Sequence, residues 1–415
     1  MRDISDDLHP HRRTLAICGG GNAGHALAVV ASQTFDGEVK WLVGSNDKAE
    51  QLHQTAAHGG LSSTGAIIGR AGGLTLVSND ASRVVADADL VVIVVPAYAH
   101  RVVLEQIAPF LKEDAIVGCA PSRSGFEFEA GSLVGGRTIF GLQTLPWSTR
   151  VVTPGVEVNF GAVKANVLMA TLPAEAAPDL AGVLGGLFGI TITPTAGFLN
   201  LTLGNPGQHI HPGLMHGHFG SWQGETYAAD DVPMFYADAD EAVSASVEGL
   251  SDDTLAVARA LETESGGRLD LSGVPSVHDW LVMSYPSQTA DLSTVSSAFT
   301  TGPLLHRKAP MKPADDGRLT PDFRYRYLTE DVPYGLVVTK AIAELAGVPT
   351  PTIDRVVEWA QTVIGVRYLT DGKVGGPDAA SLPIPQNYGI ATLAELVDWY
   401  VGLPGGVRRL ATVRA

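Results

Sequence analysis

Residues 15–24 read Leu-Ala-Ile-Cys-Gly-Gly-Gly-Asn-Ala-Gly, an apolar run that enters Gly-x-Gly-x-x-Gly. This pattern constrains the fold tightly, because it carries meaning only between a strand and a helix. Leu15–Cys18 supplies the strand, and His25-Ala-Leu-Ala-Val-Val-Ala-Ser supplies the helix. In such a turn Gly19 permits the tight reversal, Gly21 lets the backbone approach a pyrophosphate, and Gly24 allows close helix–strand contact. The helix then aims its first amides at the phosphates. Gly20, Asn22 and Ala23 complete the expected cradle, and a dinucleotide is the expected ligand.

At 415 residues the chain exceeds one ordinary core, so two domains are expected. Residues 1–13 are polar and lack the apolar centre of a signal peptide, which reads as a flexible leader. The longest apolar stretch, Leu90-Val-Val-Ile-Val-Val-Pro-Ala-Tyr-Ala, is too short for a bilayer and suits a buried parallel strand. A formal charge of −16 argues against nucleic acid and anionic membrane as partners. Cys18 and Cys119 form no C-x-x-C pair, so a disulfide framework is not expected and a reducing cytoplasm suits them.

Strand and helix signals alternate from residue 14 to about residue 198. Strands are expected at Thr14–Cys18, Glu38–Val43, Gly73–Ser78 and Leu90–Val95, with helices from Ala23, around Asp47–His58 and from Ala99. Ala115–Gly118, Thr138–Leu142, Val156–Phe160 and Ala165–Thr171 extend the sheet, and helix Ala174–Phe188 with strand Ile190–Thr193 closes it. The fold class is α/β, a Rossmann-type doubly wound domain with a parallel sheet over 14–198 followed by a mostly α-helical domain over 199–415. In the second part Ala237–Ser265, Lys340–Ala346, Ile353–Ile364 and Thr392–Val401 carry helical spacing. With no Gly/Ser linker between the parts, the default ligand site is a cleft where they meet.

Three segments could carry chemistry. Gln208–His218 places four histidines in ten residues, at 209, 211, 216 and 218. Without a carboxylate or thiolate among them no metal site is expected; one histidine as a proton carrier, with the others capping helices or facing water, fits better. Arg324-Tyr-Arg-Tyr-Leu-Thr-Glu-Asp331 precedes an apolar helix, so Glu330 or Asp331 could simply cap it. A guanidinium there also suits a substrate carboxylate, and an acid beside a histidine fixes its tautomer and raises its pKa. After two of the strands, Arg123, Gln143, Thr144 and Trp147 are placed to meet substrate, Trp147 as a pocket wall or as packing.

Taken in order, Gly-Gly-Gly-Asn-Ala-Gly-His, Val95-Pro96-Ala-Tyr-Ala-His, Ser-Gly-Phe-Glu-Phe at 124–128, Thr-Leu-Pro-Trp at 144–147, His-Pro at 211–212, Gly-Ser-Trp at 220–222 and Arg-Tyr-Leu-Thr-Glu-Asp at 326–331 resemble the octopine/opine dehydrogenase family. The similarity runs from about Thr14 to Tyr400. It implies a Rossmann domain plus a helical domain, and an enzyme that condenses an amino acid or amine with a 2-oxo acid such as pyruvate and reduces the imine with NAD(P)H. By matching position it implies His211 as the catalytic histidine, Asp331 as its partner and Arg326 as the substrate-binding arginine. Val95 and Pro96 then belong with the cofactor residues.

Between Leu42 and Asn46 no acid stands ready for a ribose 2′-hydroxyl, whereas Ser45, Asn46 and Lys48 could accept a 2′-phosphate. NADP(H) is therefore favoured, with NAD(H) left open. The expected partners are small-molecule substrates, and a homodimer is left open. The competing readings are a two-domain ketone reductase of the 6-phosphogluconate dehydrogenase-like type, a non-catalytic NADP(H) binder, and a metal-dependent hydrolase built on the histidines.

Overall fold

The computed structural model describes residues 13–56 and 60–401. The expected leader falls outside the described residues except for Arg13, which opens the first strand, and the end of the expected Asp47–His58 helix falls outside them too. The chain divides into two compact units, the first holding residues up to Ser122 and Phe126–Leu201, the second holding Arg123–Gly125 and the residues from Thr202.

In the first unit, β1 (Arg13–Cys18), α1 (Asn22–Thr34), β2 (Gly37–Leu42) and α2 (Asn46–Ala56) form the opening βαβα run. β3 (Ser62–Gly65) and β4 (Gly69–Arg70) precede β5 (Leu74–Ser78), α3 (Ala81–Val85), β6 (Leu90–Ile93), α4 (His100–Ile107), β7 (Ile116–Cys119), α5 (Phe126–Leu133) and β8 (Ile139–Leu142). β9 (Trp147–Thr153), β10 (Glu157–Val163), β11 (Asn166–Leu172), α6 (Ala177–Phe188) and β12 (Thr191–Pro194) follow. The eight-stranded sheet runs β12-β11-β8-β7-β6-β1-β2-β5. Strand order reverses between β1 and β6, so the glycine turn after β1 stands at the switch point where α/β sheets bind ligands. All four residues of β6 are buried, as expected for an apolar run covered on both faces.

Two expectations need correction. The Val156–Phe160 strand does not extend the main sheet; β10 pairs in parallel with β3 and antiparallel with β9 in a separate sheet ordered β4-β3-β10-β9. Its residues alternate between buried and more open positions, which suits a sheet covered on one face. The main sheet is also not wholly parallel, since β11 pairs antiparallel with β8. Helix α1 is buried continuously from Ala23 to Ala31, and a helix apolar on nearly every side needs such cover.

The second unit is mainly helical: α8 (Pro206–Phe219), reached through α7 (Phe198–Leu203), then α9 (Glu241–Glu264), α10 (Val277–Ser284) and α11 (Val295–Thr300). After the ribbon β13 (Met311–Pro313) and β14 (Leu319–Pro321) come α12 (Arg326–Thr329), a π-helical turn at Val332–Leu336, α13 (Val337–Ala346) and α14 (Pro351–Ile364). A second small ribbon and α15 (Leu393–Val401) complete it. Helices α8 and α9 pack closely because Gly213 and Gly217 offer no side chain where Val247 and Val243 approach. The histidine-bearing helix is thereby fixed against the longest helix of the unit.

Candidate functional site

In the first unit Gly19 turns the chain at φ +135°, and a Cβ on it would meet the Val94 carbonyl oxygen and the Val95 side chain. A Cβ on Gly24 would overlap the Gly19 carbonyl oxygen, which accepts the Trp41 indole N–H at 2.9 Å. Gly21 is the N-cap of α1, makes no side-chain cap, and has no heavy atom within 4 Å of where its Cβ would stand. The turn therefore leaves open space and uncapped helix amides together, and these residues fit a dinucleotide pyrophosphate.

Beneath the turn, His25 accepts the Gly155 N–H at Nε2 (3.0 Å) and so must donate from Nδ1 to the Gly21 carbonyl at 2.8 Å. Burial, with the nearby Lys48 charge, keeps His25 below its ordinary pKa, in keeping with a lone pair in use. Asn22 Oδ1 accepts the Val151 N–H at 2.9 Å, which ties the small sheet to the first turn of α1. Of the other expected cofactor residues, Ala23 is buried in that turn, Val95 and Pro96 are half-buried after β6, and Ser45 and Asn46 are exposed around the start of α2. The Lys48 ammonium folds back over the turn, 3.2 Å from the Cβ position of Gly20.

Also in the first unit, Gln143 is buried just past β8 and Thr144 is half-buried with a hydroxyl that has no hydrogen-bond partner. Trp147, a candidate substrate residue by sequence, is 2% exposed and packs edge-on against Phe160 and Phe188, so it serves the core.

The second unit gathers His211, Asp331, Arg326 and Arg123. Asn205 caps the start of α8, its Oδ1 accepting the Gly207 N–H at 3.1 Å, and His211 lies in the second turn of the helix. Asp331 occupies the cap position of the π-helical turn but makes no side-chain cap. Its Oδ2 instead accepts the His211 Nδ1–H at 2.8 Å, and its Oδ1 lies 2.8 Å from Arg123 Nη1. Arg123 Nη1 also donates to Asn205 Oδ1 at 3.0 Å, while its Nε faces Glu330 Oε1 at 3.5 Å. Glu330 Oε2 takes Arg326 Nε at 2.8 Å and Nη2 at 2.6 Å. The His211 ring stacks on Tyr327 with centroids 4.0 Å apart and planes 11° from parallel, and Arg307 Nη1 holds the Tyr327 hydroxyl at 3.1 Å.

Exposure separates the roles. The carboxylates of Asp331 and Glu330 are buried and Arg123 nearly so, whereas the His211 side chain is 21% exposed and that of Arg326 48%. Burial pushes the Asp331 carboxyl up, but Arg123, His211 and Arg326 outweigh it and hold it below the ordinary carboxylate range. Burial lowers His211, and against the pull of Asp331 the Arg123 and Arg326 charges lower it further. The expectation that the carboxylate would raise the histidine thus needs correction: its influence is there, but the net shift is downward. His211 rests neutral, with the Nδ1 proton fixed on Asp331 and a lone pair on Nε2.

The other histidines make no side-chain helix caps; His209 is buried, while His216 and His218 are half-buried and hydrogen-bonded within the unit. Thr254 gives its hydroxyl proton to the Leu250 carbonyl, so His209 Nε2–H must donate to Thr254 Oγ1 at 2.9 Å; burial pushes that imidazole down to about 3. His216 bonds Ser246 and His218 bonds the Phe235 carbonyl, so these rings are internal fasteners. Among the described residues no group of three or more His, Cys, Asp and Glu could hold a metal ion. Glu330 and Asn205 were not picked out as site residues. The four-residue spacing from Arg326 to Glu330 and the Asn-Pro step before α8 were their available signals.

A Rossmann-type unit with an open glycine turn, and a helical unit with a carboxylate-bound imidazole beside an arginine, define an NAD(P)-dependent oxidoreductase. Residues 14–127 match the NAD-dependent glycerol-3-phosphate dehydrogenase N-terminus, and residues 194–364 match the NAD/NADP octopine/nopaline dehydrogenase α-helical domain. The opine dehydrogenase of Haliotis discus hannai is 32% identical over 93% of this chain and 98% of its own length. The tauropine dehydrogenase of Arabella iricolor is 32% identical over 92% and 99%. A solved octopine dehydrogenase with NADH and agmatine superposes with a TM-score of 0.84 at 28% identity, over 94% of this chain and 98% of that one. The chain belongs to the octopine/opine dehydrogenase family, oxidoreductases that act on CH–NH groups. Among the described residues no helix is long and apolar enough to cross a membrane.

Proposed function

We propose that this chain condenses an amino acid with a 2-oxo acid, pyruvate being the first candidate, and reduces the product with NADP(H) in preference to NAD(H). His211 is its acid/base, Asp331 the group that orients it, and Arg326 the carboxylate clamp. The single observation that carries this reading is the 2.8 Å bond from His211 Nδ1 to buried Asp331, with Arg326 held nearby by Glu330. Related octopine dehydrogenase structures contain pyruvate or L-arginine with NADH, which supports both substrate classes.

Glu330 engages the Nε–Nη2 edge of Arg326, leaving the Nη1–Nη2 end of the plane for a substrate carboxylate. With Nδ1 committed, His211 exchanges protons through Nε2. It passes the proton that the attacking amine loses to the carbonyl oxygen, and with one further proton taken from solvent it protonates the carbinolamine hydroxyl, which leaves as water and gives the iminium. Asp331 stabilises the imidazolium formed between those steps. When bound, the dihydronicotinamide supplies the hydride that reduces the imine carbon. Gly19–Gly24 would hold the pyrophosphate, and Ser45, Asn46 and Lys48 the 2′-phosphate, for which the exposure of Ser45 and Asn46 and the inward Lys48 ammonium argue. Two buried cysteines that form no disulfide suit work in the cytoplasm.

The test follows loss of dihydronicotinamide absorbance with NADPH, then NADH, across 2-oxo acids with and without amino acids. Oxidation that requires both substrates is expected, fastest with NADPH. Oxidation with the keto acid alone would instead make the protein a ketone reductase, and a preference for NADH would remove the coenzyme assignment.

A further inference from the structure

By sequence Arg123 is a substrate contact, but its surroundings assign it other work. The side chain is 9% exposed, Nη1 serves both Asp331 and Asn205, and Nε faces Glu330. A Cβ on Gly207 would overlap Nη1 and approach Asp331 Oδ1, so the glycine keeps this guanidinium seated. Glu330 and Asp331 are adjacent in sequence and both buried, so their negative charges repel unless a fixed cation stands between them. Arg123 is that cation, and it faces the far oxygens of both: Asp331 Oδ1, opposite the oxygen that holds His211, and Glu330 Oε1, opposite the oxygen that holds Arg326.

We infer that Arg123 is a positioning residue for both halves of the site, orienting His211 through Asp331 and steadying Arg326 through Glu330, without itself touching substrate. The inference rests on the roles given to His211 and Arg326 above. The charged and titratable groups that face His211 are Asp331, Arg123 and Arg326, with Tyr327 stacked on the ring and Glu330 behind the two arginines. Removing the Arg123 charge takes a cation away from the imidazole while the remaining guanidinium of Arg326 keeps Asp331 partly compensated. The histidine should then protonate more readily, and the Arg326 clamp should loosen. A residue that only bound substrate carboxylate would do neither in the resting protein.

The experiment compares Arg123→Met and Arg123→Lys with the wild type. NMR titration of the His211 ring, assigned by its loss in His211→Asn, requires no turnover. In Arg123→Met the ring pKa should rise by about one unit or more, and in Arg123→Lys by less, because an ammonium keeps the charge but lacks the fork. In steady-state kinetics kcat should fall by roughly 10- to 100-fold with a displaced pH limb, KM for the 2-oxo acid should rise, and coenzyme affinity should hold. If the ring titration and the pH limb stay in place while only KM rises, Arg123 is a substrate contact and the inference is overturned. Should Arg123→Met not fold, the lysine variant decides by the same criterion. A wild type inactive with every substrate pair would sink the proposed function while the ring titration still judged Arg123.

Discussion

The substitution Asp331→Asn changes the charge of a buried side chain while hardly changing its shape. The new carboxamide can still offer its oxygen to Arg123, 2.8 Å from the native Oδ1, but its other terminus becomes an NH2 facing His211 Nδ1. Two donors cannot meet there, so the imidazole moves its proton to Nε2 and loses the lone pair that the proposed proton exchange requires. Losing general acid/base catalysis costs about 10²- to 10⁴-fold in kcat, or ~3–5 kcal/mol at the transition state. Arg123 and Arg326 also lose a buried counter-charge; because Glu330 and an amide oxygen remain, the stability cost should fall near the lower end for a broken buried pair, about 3 kcal/mol. The sign of the pH effect follows from the same contacts. Asp331 raises the His211 pKa against burial and the two arginines, so its removal makes the imidazole harder to protonate. In the oxidative direction, where neutral His211 is the base, the acid limb should move to lower pH beneath a much lower plateau. Initial rates in both directions across pH, with thermal unfolding at each pH, check this. Retention of more than about a tenth of kcat, or a limb that moves upward, would refute the reasoning.

Gly24→Ala should push α1 away from the Gly19 carbonyl and break its bond from Trp41, weakening coenzyme binding by at least about tenfold and stability by roughly 1–3 kcal/mol; fluorescence titration with NADPH and a melting curve read both. His209 should make the fold acid-sensitive. Its folded pKa lies near 3 against 6.5 for a free imidazole, so its contribution is complete above pH 6.5 and is lost as pH falls toward about 3, at most about 5 kcal/mol. A urea-denaturation series should show the slope flattening in His209→Gln. Arg123 and Arg326 are balanced by Asp331 and Glu330 around a neutral His211, so a carboxylate arriving at Arg326 adds uncompensated negative charge and raises the histidine pKa. Calorimetry in two buffers of different ionisation enthalpy should therefore find proton uptake on 2-oxo acid binding near neutral pH, and its absence would count against the clamp's placement.

The doubly wound unit was legible because its central strands are buried on both faces and must therefore be continuously apolar, as Leu90–Ile93 is. The small sheet was not. Ser62–Gly65 reads Ser-Ser-Thr-Gly, with nothing apolar to announce a strand, and its longest pairing is with Glu157–Phe160. That pairing joins positions roughly a hundred residues apart, beyond the reach of any local pattern. The segment around Trp147 stayed open for a related reason: an aromatic just past the end of a sheet strand suits a pocket wall or packing equally, and the rings of Phe160 and Phe188 show packing.

The functional site divides along the same physical line. Residue type and motif could nominate His211, Asp331 and Arg326, because proton transfer and carboxylate capture each demand particular side chains. They could not say where charge would be neutralised, since that depends on which guanidinium is buried between which carboxylates. Arg123 illustrates the difference. Read along the chain it follows the strand Ile116–Cys119 and carries a positive charge suited to an acidic substrate. In the folded second unit the charge is already engaged by Asp331 and Glu330, and the arginine left with an open edge is Arg326. The direction of the His211 shift turned on the same point. A carboxylate partner alone predicts a raised pKa, and burial with two guanidinium groups reverses it, so the imidazole rests neutral.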